Sequence, residues 1–283
     1  MQAINVQMQR LTVNASTWPG QTAFINLMTR GAYAEMDTIT FDGAPHDEIQ
    51  GVMSWIEQQQ SQKSTLLFYD SHTRETIFRV PSSMPQQVTV GRFSQYIRGF
   101  SSNTGIDPFI RGCGSTTVKS KDDRFHAEPD ASWQPVSRIR RKDPCPTIMV
   151  VVGETQSHSS LRRVMQGWFK MSEGQVRIVI IIDIRRQESG KHEFVFEKWR
   201  YGEDGEPLCD TEISVTLRPD FDSPNLPRHD DFIITTKPQS RPLPMVLEFG
   251  LVYDRVPGPR EEDILIPALT FQDIASYVWV CLL

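Results

Sequence analysis

Close cysteine pairs, long apolar runs, an excess of basic charge and the glycine signatures of nucleotide binding are all missing from this chain of 283 residues. Its four cysteines, Cys113, Cys145, Cys209 and Cys281, lie far apart. They have neither the spacing of metal knuckles nor that of small disulfide scaffolds, and a reducing cytosol suits them best. The longest apolar stretch, Val176 to Ile184, is interrupted by Arg177 and Asp183 and is far too short to span a bilayer, so no membrane partner is expected. The opening residues, MQAINVQMQRLTVNAS, have neither the continuous apolar core of a signal peptide nor the Arg-rich amphipathic look of a transit sequence. The reading is of an intracellular, cytoplasmic protein.

A net charge of −5 offers no global attraction to a polyanion, because phosphate binding depends on neutralising Lys and Arg. Nucleic acid is therefore not the favoured partner. No GxGxxG and no GxxxxGK followed by Ser or Thr occurs, which removes the usual phosphate cradles. There is no GxSxG elbow either. The six histidines, His46, His72, His126, His158, His192 and His229, include no pair at helical ligand spacing, so a zinc site is not expected. Nothing in the sequence assigns an oligomeric state.

What is present is an ordinary globular composition, 39% hydrophobic and 23% charged, able to bury a sizeable core. Ile49, Val52, Met53 and Ile56 recur at i, i+3, i+4 and i+7 behind Asp47, which predicts a helix. LLFYD and TIFRV flank the polar SHTRE and predict a hairpin. Phe93, Tyr96, Ile97 and Phe100 mark one face of a second helix, which Gly99 and the Ser101, Ser102, Asn103 cluster end. From Gly112 to Pro146 the chain is rich in turn residues, with short extended pieces at STTVKS and ASW.

The middle is the clearest part. TIMVVV and VRIVIIIDI are continuous apolar runs, and between them Leu161, Val164, Met165, Trp168 and Phe169 line one helical face. Strand, helix and strand in that order predict a βαβ crossover onto a parallel pair. FVFEKW then fits a neighbouring antiparallel strand, residues 200–243 read as the least regular part, and PMVLEFGLVYD with LTFQDIASYVW reads as a strand followed by a short helix. With no repeat and no sharp change of composition, one domain over 1–283 is expected.

The order hairpin, helix, strand, Pro-Asp, strand, helix, strand resembles the PD-(D/E)XK restriction-endonuclease-like superfamily. Several stretches are similar to an uncharacterised group of its members common in fungi: FYDSHTRETIFRVPSSMPQ, GSTTVKSKDDRFHAEPDASWQP, PTIMVVVGETQS, LRRVMQGWF, GQVRIVIIIDI, FEKW and DRVPGPREEDILIPALTFQDIASYVW. The likeness runs from about residue 66 to the C-terminus. It implies an α/β fold: a mixed central sheet with a βαβ crossover and flanking helices, with β-rich additions. Residues 1–62 are then an N-terminal helical extension, 63–200 the nuclease-like core, and 201–283 strands and a helix packed on it.

Members of that superfamily cut nucleic acid with a divalent metal held by an Asp opening one strand, a Glu or Asp one strand over, and a nearby Lys; hard oxygen ligands suit Mg²⁺, which polarises the phosphate. Asp130 matches the first acid, while the second falls on Val151. The group's His-Glu pair opening the helix after the hairpin falls on Pro85 and Gln86. The resemblance therefore implies a damaged metal site and no cofactor, with Mg²⁺ required if Glu154, in a Glu-X-Gln arrangement with Gln156, replaces the missing acid. Strand parity sets Val151 and Gly153 on one face and Glu154 on the other.

Each reading has an alternative. Asp130 after Pro129 also suits a plain turn, and Arg162 and Arg163 suit a solvated helix face as well as phosphate contact. His126 and His158 flank the PDASW and GETQS blocks, where either is placed to act as a general base or to sit on a surface loop. On this alignment Met84, Pro85, Trp133, Val151 and Trp168 surround an apolar cleft, the form small-molecule sites take, or simply fill it. The expectation is a repurposed nuclease fold binding an apolar small molecule, and carrying out a cyclisation or isomerisation where it catalyses. Asp130, Glu154 and Gln156 would do the chemistry, with Trp133, Val151, Trp168, His158 and Met84 around the ligand. The competing readings are a Mg²⁺-dependent nuclease using Asp130 and Glu154, and a non-catalytic pseudo-nuclease binding nucleic acid or protein.

Overall fold

The computed structural model describes residues 11–30, 36–58, 65–79, 83–103, 110–115, 118–120, 125–139, 145–154, 156–186, 192–218, 221, 227–237 and 243–282. In chain order, β1 (Leu11–Thr17), α1 (Gln21–Thr29), β2 (Met36–Asp42) and α2 (His46–Gln58) lead into the hairpin of β3 (Thr65–Asp70) and β4 (Glu75–Arg79). The long helix α3 (Met84–Asn103) follows, then the short strands β5 (Ile110–Gly112), β6 (Val118–Lys119) and β7 (Phe125–Ala127). After β8 (Ala131–Pro135) come β9 (Ile148–Gly153), α4 (His158–Met171) and β10 (Ile178–Arg186). Three long antiparallel additions follow: β11 (His192–Tyr201), β12 (Pro207–Leu217) and β13 (Phe232–Lys237). The chain closes with β14 (Met245–Leu247), α5 (Phe249–Tyr253), β15 (Ile264–Ile266) and α6 (Ala268–Trp279).

The described strands form a mixed α/β architecture whose central sheet has seven strands in the order β13-β12-β11-β10-β9-β8-β5. Within it β9 and β10 are parallel and the neighbours on both sides antiparallel. α4 is the crossover between the parallel pair, as the two apolar runs predict. Every residue of β9 is buried, as befits a strand covered on both faces, whose sequence is then uniformly apolar.

Strand parity divides that covering. Ile148, Val150, Val152, Ile178, Ile180 and Ile182 share a core with α3, α5 and α6 through Phe93, Phe249 and Phe271. Met149, Val151, Val179 and Ile181 face Leu161, Val164 and Trp168 of α4 instead. The five residues expected on the apolar face of α4 are all buried. Ser157 caps this helix, its side chain accepting from the Ser160 N–H, one of the donors a helix start leaves without an internal partner.

A second sheet of six described strands runs in the order β1-β2-β4-β3-β7-β6. Its inner face supplies Phe68 and Ile77 to the core around α4, while Phe24, Ile39, Ile49, Val52, Tyr69 and Phe78 form a further core with α1 and α2. Helix α4 thus lies between two sheets, and Gly167 permits the approach: a Cβ there would stand 2.1 Å from Phe68 Cε2.

The structure departs from the sequence reading in several places, one of them PMVLEFGLVYD, which is strand only at Met245–Leu247 and turns into helix at Phe249–Tyr253. The N-terminal segment expected to be a helical extension carries two strands as well as two helices, because β2 pairs along the outer side of β4. The hairpin accordingly belongs to the second sheet and not to the central one. Residues 200–243, expected to be irregular, contain β12 and β13; Ile213, Val215 and Leu217 alternate inward, a half-buried pattern that prolines and acids on either side obscured. The reading of the first ten residues falls on residues outside those described. Among the described residues no helix is long and apolar enough to cross a membrane.

Replacing Gly167 by Ala should cost about 1–3 kcal/mol of stability, the usual penalty for overfilling a packed core. The cost should fall when Phe68 is first shortened to Leu. Urea denaturation of both single variants and the double variant measures this; equal costs in the two backgrounds would show that the helix does not lean on that ring.

Candidate functional site

Asp130 stands immediately before β8. Its backbone N–H donates to the Val150 carbonyl at 2.9 Å, which fixes it against β9. One carboxylate oxygen, Oδ2, accepts from the Val152 N–H at 2.7 Å. The other, Oδ1, forms an ion pair with Nη1 of Arg79. Arg79 ends β4 in the second sheet, and its Nη2 donates to the Val152 carbonyl at 2.8 Å. The side chains are 3% and 9% exposed for Arg79 and Asp130. The guanidinium therefore spans from one sheet to the other and grips a carboxylate and a backbone carbonyl together. Charge-assisted bonds of this sort are the strong ones, and neither buried ion tolerates loss of its partner.

Glu154 follows the end of β9 and accepts from the Ser83 hydroxyl. Ser83 precedes α3 and caps it: the Gln86 N–H donates to Ser83 Oγ at 3.3 Å, and the Ser83 N–H donates to Gln86 Oε1 at 3.1 Å. This is a reciprocal capping box, and it gives the buried Gln86 a structural task where the resemblance leads one to expect an acid. The Glu154 charge beside the start of α3 also suits the helix dipole. Pro85 lies in the first turn, where a missing N–H costs little.

The other expected site residues are dispersed. Val151 and Trp168 are fully buried between β9 and α4. Trp133, 6% exposed, belongs to the core on the opposite face of the sheet, near Phe93. Gln156 is buried and its Nε2 donates to Ser160 Oγ at 2.7 Å, holding the first turn of α4. Met84 is 68% exposed. His126 is fully buried in β7, with Nε2 3.2 Å from Gln50 Nε2 and its ring beside His46 and Tyr69.

His158 opens α4 at the end of the parallel strands and is the centre of a second polar cluster. Its Nδ1 lies 3.2 Å from Asp183 Oδ2 and its Nε2 3.2 Å from Glu197 Oε1. Both carboxylates are buried, while the imidazole is 28% exposed. Arg185 Nε donates to Asp183 Oδ2 at 2.6 Å, and its Nη2 lies 3.0 Å from His158 Nδ1. Trp199 Nε1 donates to Glu197 Oε2 at 2.8 Å, and the Arg162 guanidinium stands 5.0 Å above the Trp199 ring and 3.6 Å from Glu197. One face of the sheet brings these groups together, since Asp183 follows the parity of Val179 and Ile181. A half-exposed imidazole oriented by buried carboxylates can exchange a proton with a bound molecule.

Sequence reasoning missed Arg79, Ser83, Asp183 and Glu197. The signal for Asp183 was present: it is the one acid in the apolar run IVIIIDI, and a charge in such a place must be paired. Cys145 and Cys209 offer no nucleophile. Burial pushes the Cys145 thiol up to about 11, and burial together with the Glu197, Glu212 and Asp210 carboxylates pushes Cys209 up to about 12, so both remain protonated thiols at neutral pH.

A divalent ion, implied by the resemblance, does not fit the residues at Asp130. Both carboxylate oxygens are engaged, one by a permanent cation; Val151 points into the core around α4; and Glu154 is turned to Ser83. Mg²⁺ demands near-octahedral oxygen coordination, which this set does not offer. No known family model matches the chain, and no curated protein matches it.

Breaking the Arg79–Asp130 pair from either side should be costly. Arg79→Met or Asp130→Asn alone should lose about 3–5 kcal/mol, the toll of leaving a buried charge alone. The double variant should lose clearly less than the sum. Chemical denaturation of the four proteins gives the coupling, and strict additivity would contradict the pairing.

Proposed function

We propose that this chain is a repurposed nuclease fold that binds a small, largely apolar organic molecule and promotes its cyclisation or isomerisation by proton transfer, without a metal. The order α3, β5, β8, β9, α4, β10 supports the nuclease-like ancestry, and the engagement of Asp130 by Arg79 supports the loss of phosphodiester chemistry. The observation that carries the reading is His158: of the polar groups expected at the site, it is a partly exposed one that buried carboxylates orient from two strands. It lies outside the carboxyl ends of β9 and β10, where open α/β sheets receive ligands. Exposed Met84 and partly exposed Glu154 lie at the start of α3, beside the end of β9.

In this reading Asp183 and Glu197 hold the ring, and the ring gives or takes the proton. Orientation of a flexible substrate supplies much of the rest, for which several kcal/mol of barrier lowering is the right order of magnitude. Asp130, assigned to catalysis by the sequence alone, becomes a fixed structural anion. The four free cysteines fit a reducing, cytoplasmic setting, and the net charge of −5 fits a partner other than nucleic acid.

Two measurements test this. Supercoiled plasmid and single-stranded DNA incubated with the protein in Mg²⁺ or Mn²⁺ should remain uncut; cutting that disappears in Asp130→Asn would overturn the proposal in favour of a nuclease using Asp130 and Glu154. A panel of hydrocarbons bearing a single hydroxyl or carbonyl, screened by ligand-observed NMR, should give binders whose affinity falls about tenfold, a loss of roughly 1.4 kcal/mol, in His158→Gln. Binders indifferent to that change would remove His158 from the site.

A further inference from the structure

We propose that β13, the long outer strand of the central sheet, is where two copies of this chain join: the two strands meet antiparallel about Ile234, and the sheet of one protomer continues into that of its partner. This holds whatever His158 binds and whatever the ancestry of the fold.

Among the described residues β13 pairs with β12 on one side and with no strand on the other. The ladder settles which backbone groups look outward. The Arg218 N–H donates to the Asp231 carbonyl at 2.8 Å, so Asp231 faces β12. Alternation then turns the backbone of Ile233, Thr235 and Lys237 to β12, and that of Phe232, Ile234 and Thr236 away from it. The Phe232 N–H obeys this parity, since it donates to the His229 carbonyl and not to β12. The edge therefore presents the Phe232 carbonyl and both backbone groups of Ile234 and Thr236. Such a row is a template for another strand, which is why edges are commonly bulged, shortened or covered. β13 pairs with β12 in one unbroken register, and its sequence, FIITTK, is rich in β-branched residues.

One register satisfies this row with its own copy. With Ile234 opposite the partner's Ile234, each N–H meets the other's carbonyl, and each Thr236 N–H meets the partner's Phe232 carbonyl. A two-fold contact of this kind is self-complementary and closes on itself. The same register sets Lys237 directly across from the partner's Asp231, an opposite-charge pair repeated at both ends. A slip of two residues sets Lys237 against His229 or Ile233 instead, so the charges choose the register that the backbone allows. Lys237 is 75% exposed and already pairs with Glu212 of its own chain at 2.8 Å, so the partner's Asp231 would complete a pair of carboxylates around it. The side chains agree. Phe232 and Thr236 are buried and Ile234 is partly buried against the core, on the side where the Trp279 ring of α6 lies 6.2 Å from that of Phe232. A second Ile234 extends this apolar rim, which Val280, exposed after Trp279, continues. On the outer face, exposed Ile233 meets the partner's Thr235.

Sedimentation velocity on the full chain, across a wide range of concentration, tests the contact. At micromolar concentration the unaltered protein should sediment at twice its chain mass of 32.4 kDa. Ile234→Pro removes one outward N–H at an edge position, where proline is tolerated, and should yield a monomer with unchanged circular dichroism. Lys237→Asp and Asp231→Lys each set like charges opposite one another at both ends, and each should weaken self-association about tenfold. Mixed in equal amounts, these two variants face each other with opposite charges and should form a dimer that neither forms as well alone. The mixture decides the matter should Ile234→Pro fail to fold. A monomer at every concentration would overturn the inference. So would a dimer that Ile234→Pro leaves intact, or a mixture that associates no better than its components.

Discussion

A buried carboxylate has to be neutralised, and in this protein the neutralising group for Asp130 comes from a different sheet. The cost of leaving either ion unpaired in a low-dielectric interior is several kcal/mol, which makes the Arg79–Asp130 contact a constraint on how the second sheet sits against the central one. The same guanidinium satisfies the Val152 carbonyl, and Val152 in turn donates its N–H to Asp130. Arg79 of β4, Asp130 just before β8 and Val152 of β9 therefore close a small ring of charge-assisted bonds. That ring works as a fastening between layers.

That fastening has an apolar counterpart. Helix α4 is packed on both sides, with Leu161, Val164 and Trp168 against β9 and β10 and the backbone at Gly167 against Phe68. Gly153 plays the same part at the strand end, where a Cβ would stand 2.8 Å from Leu161 Cδ1. Both glycines are places where a helix and a strand come too close for a side chain, and they set how near His158, at the start of α4, lies to Asp183 and Glu197.

The sequence was most legible where structure is local and doubly buried. The runs TIMVVV and VRIVIIIDI and the 3.6-residue spacing of Leu161 to Phe169 carry their own period, and β9, α4 and β10 follow from them. Parity of Val151, Gly153 and Glu154 was legible for the same reason. The pairing of β2 with β4 was not, because MDTITFD shows only the alternation of a half-buried strand and nothing in it names its neighbour. Arg79 was invisible for a related reason: it meets Asp130 across 51 residues, and in the sequence it is one arginine among many at the end of a hairpin. Asp183 was visible as an interruption of an apolar strand, whereas Glu197 is one of several charged residues in HEFVFEKWRY, and only the fold shows that one histidine serves both.

The two polar centres solve one electrostatic problem in different ways, and the difference argues for their roles. At Asp130 the counter-ion is an arginine 3% exposed, permanently charged and donating to a carbonyl as well, so the charge is spent on structure and has no proton to exchange at ordinary pH. At Asp183 and Glu197 the counter-ions are His158, Arg162 and Arg185, exposed to 28%, 44% and 36%. Solvent, and therefore a ligand, reaches them. One buried carboxylate is closed by a cation that solvent barely reaches, while the other two share an imidazole that solvent does reach.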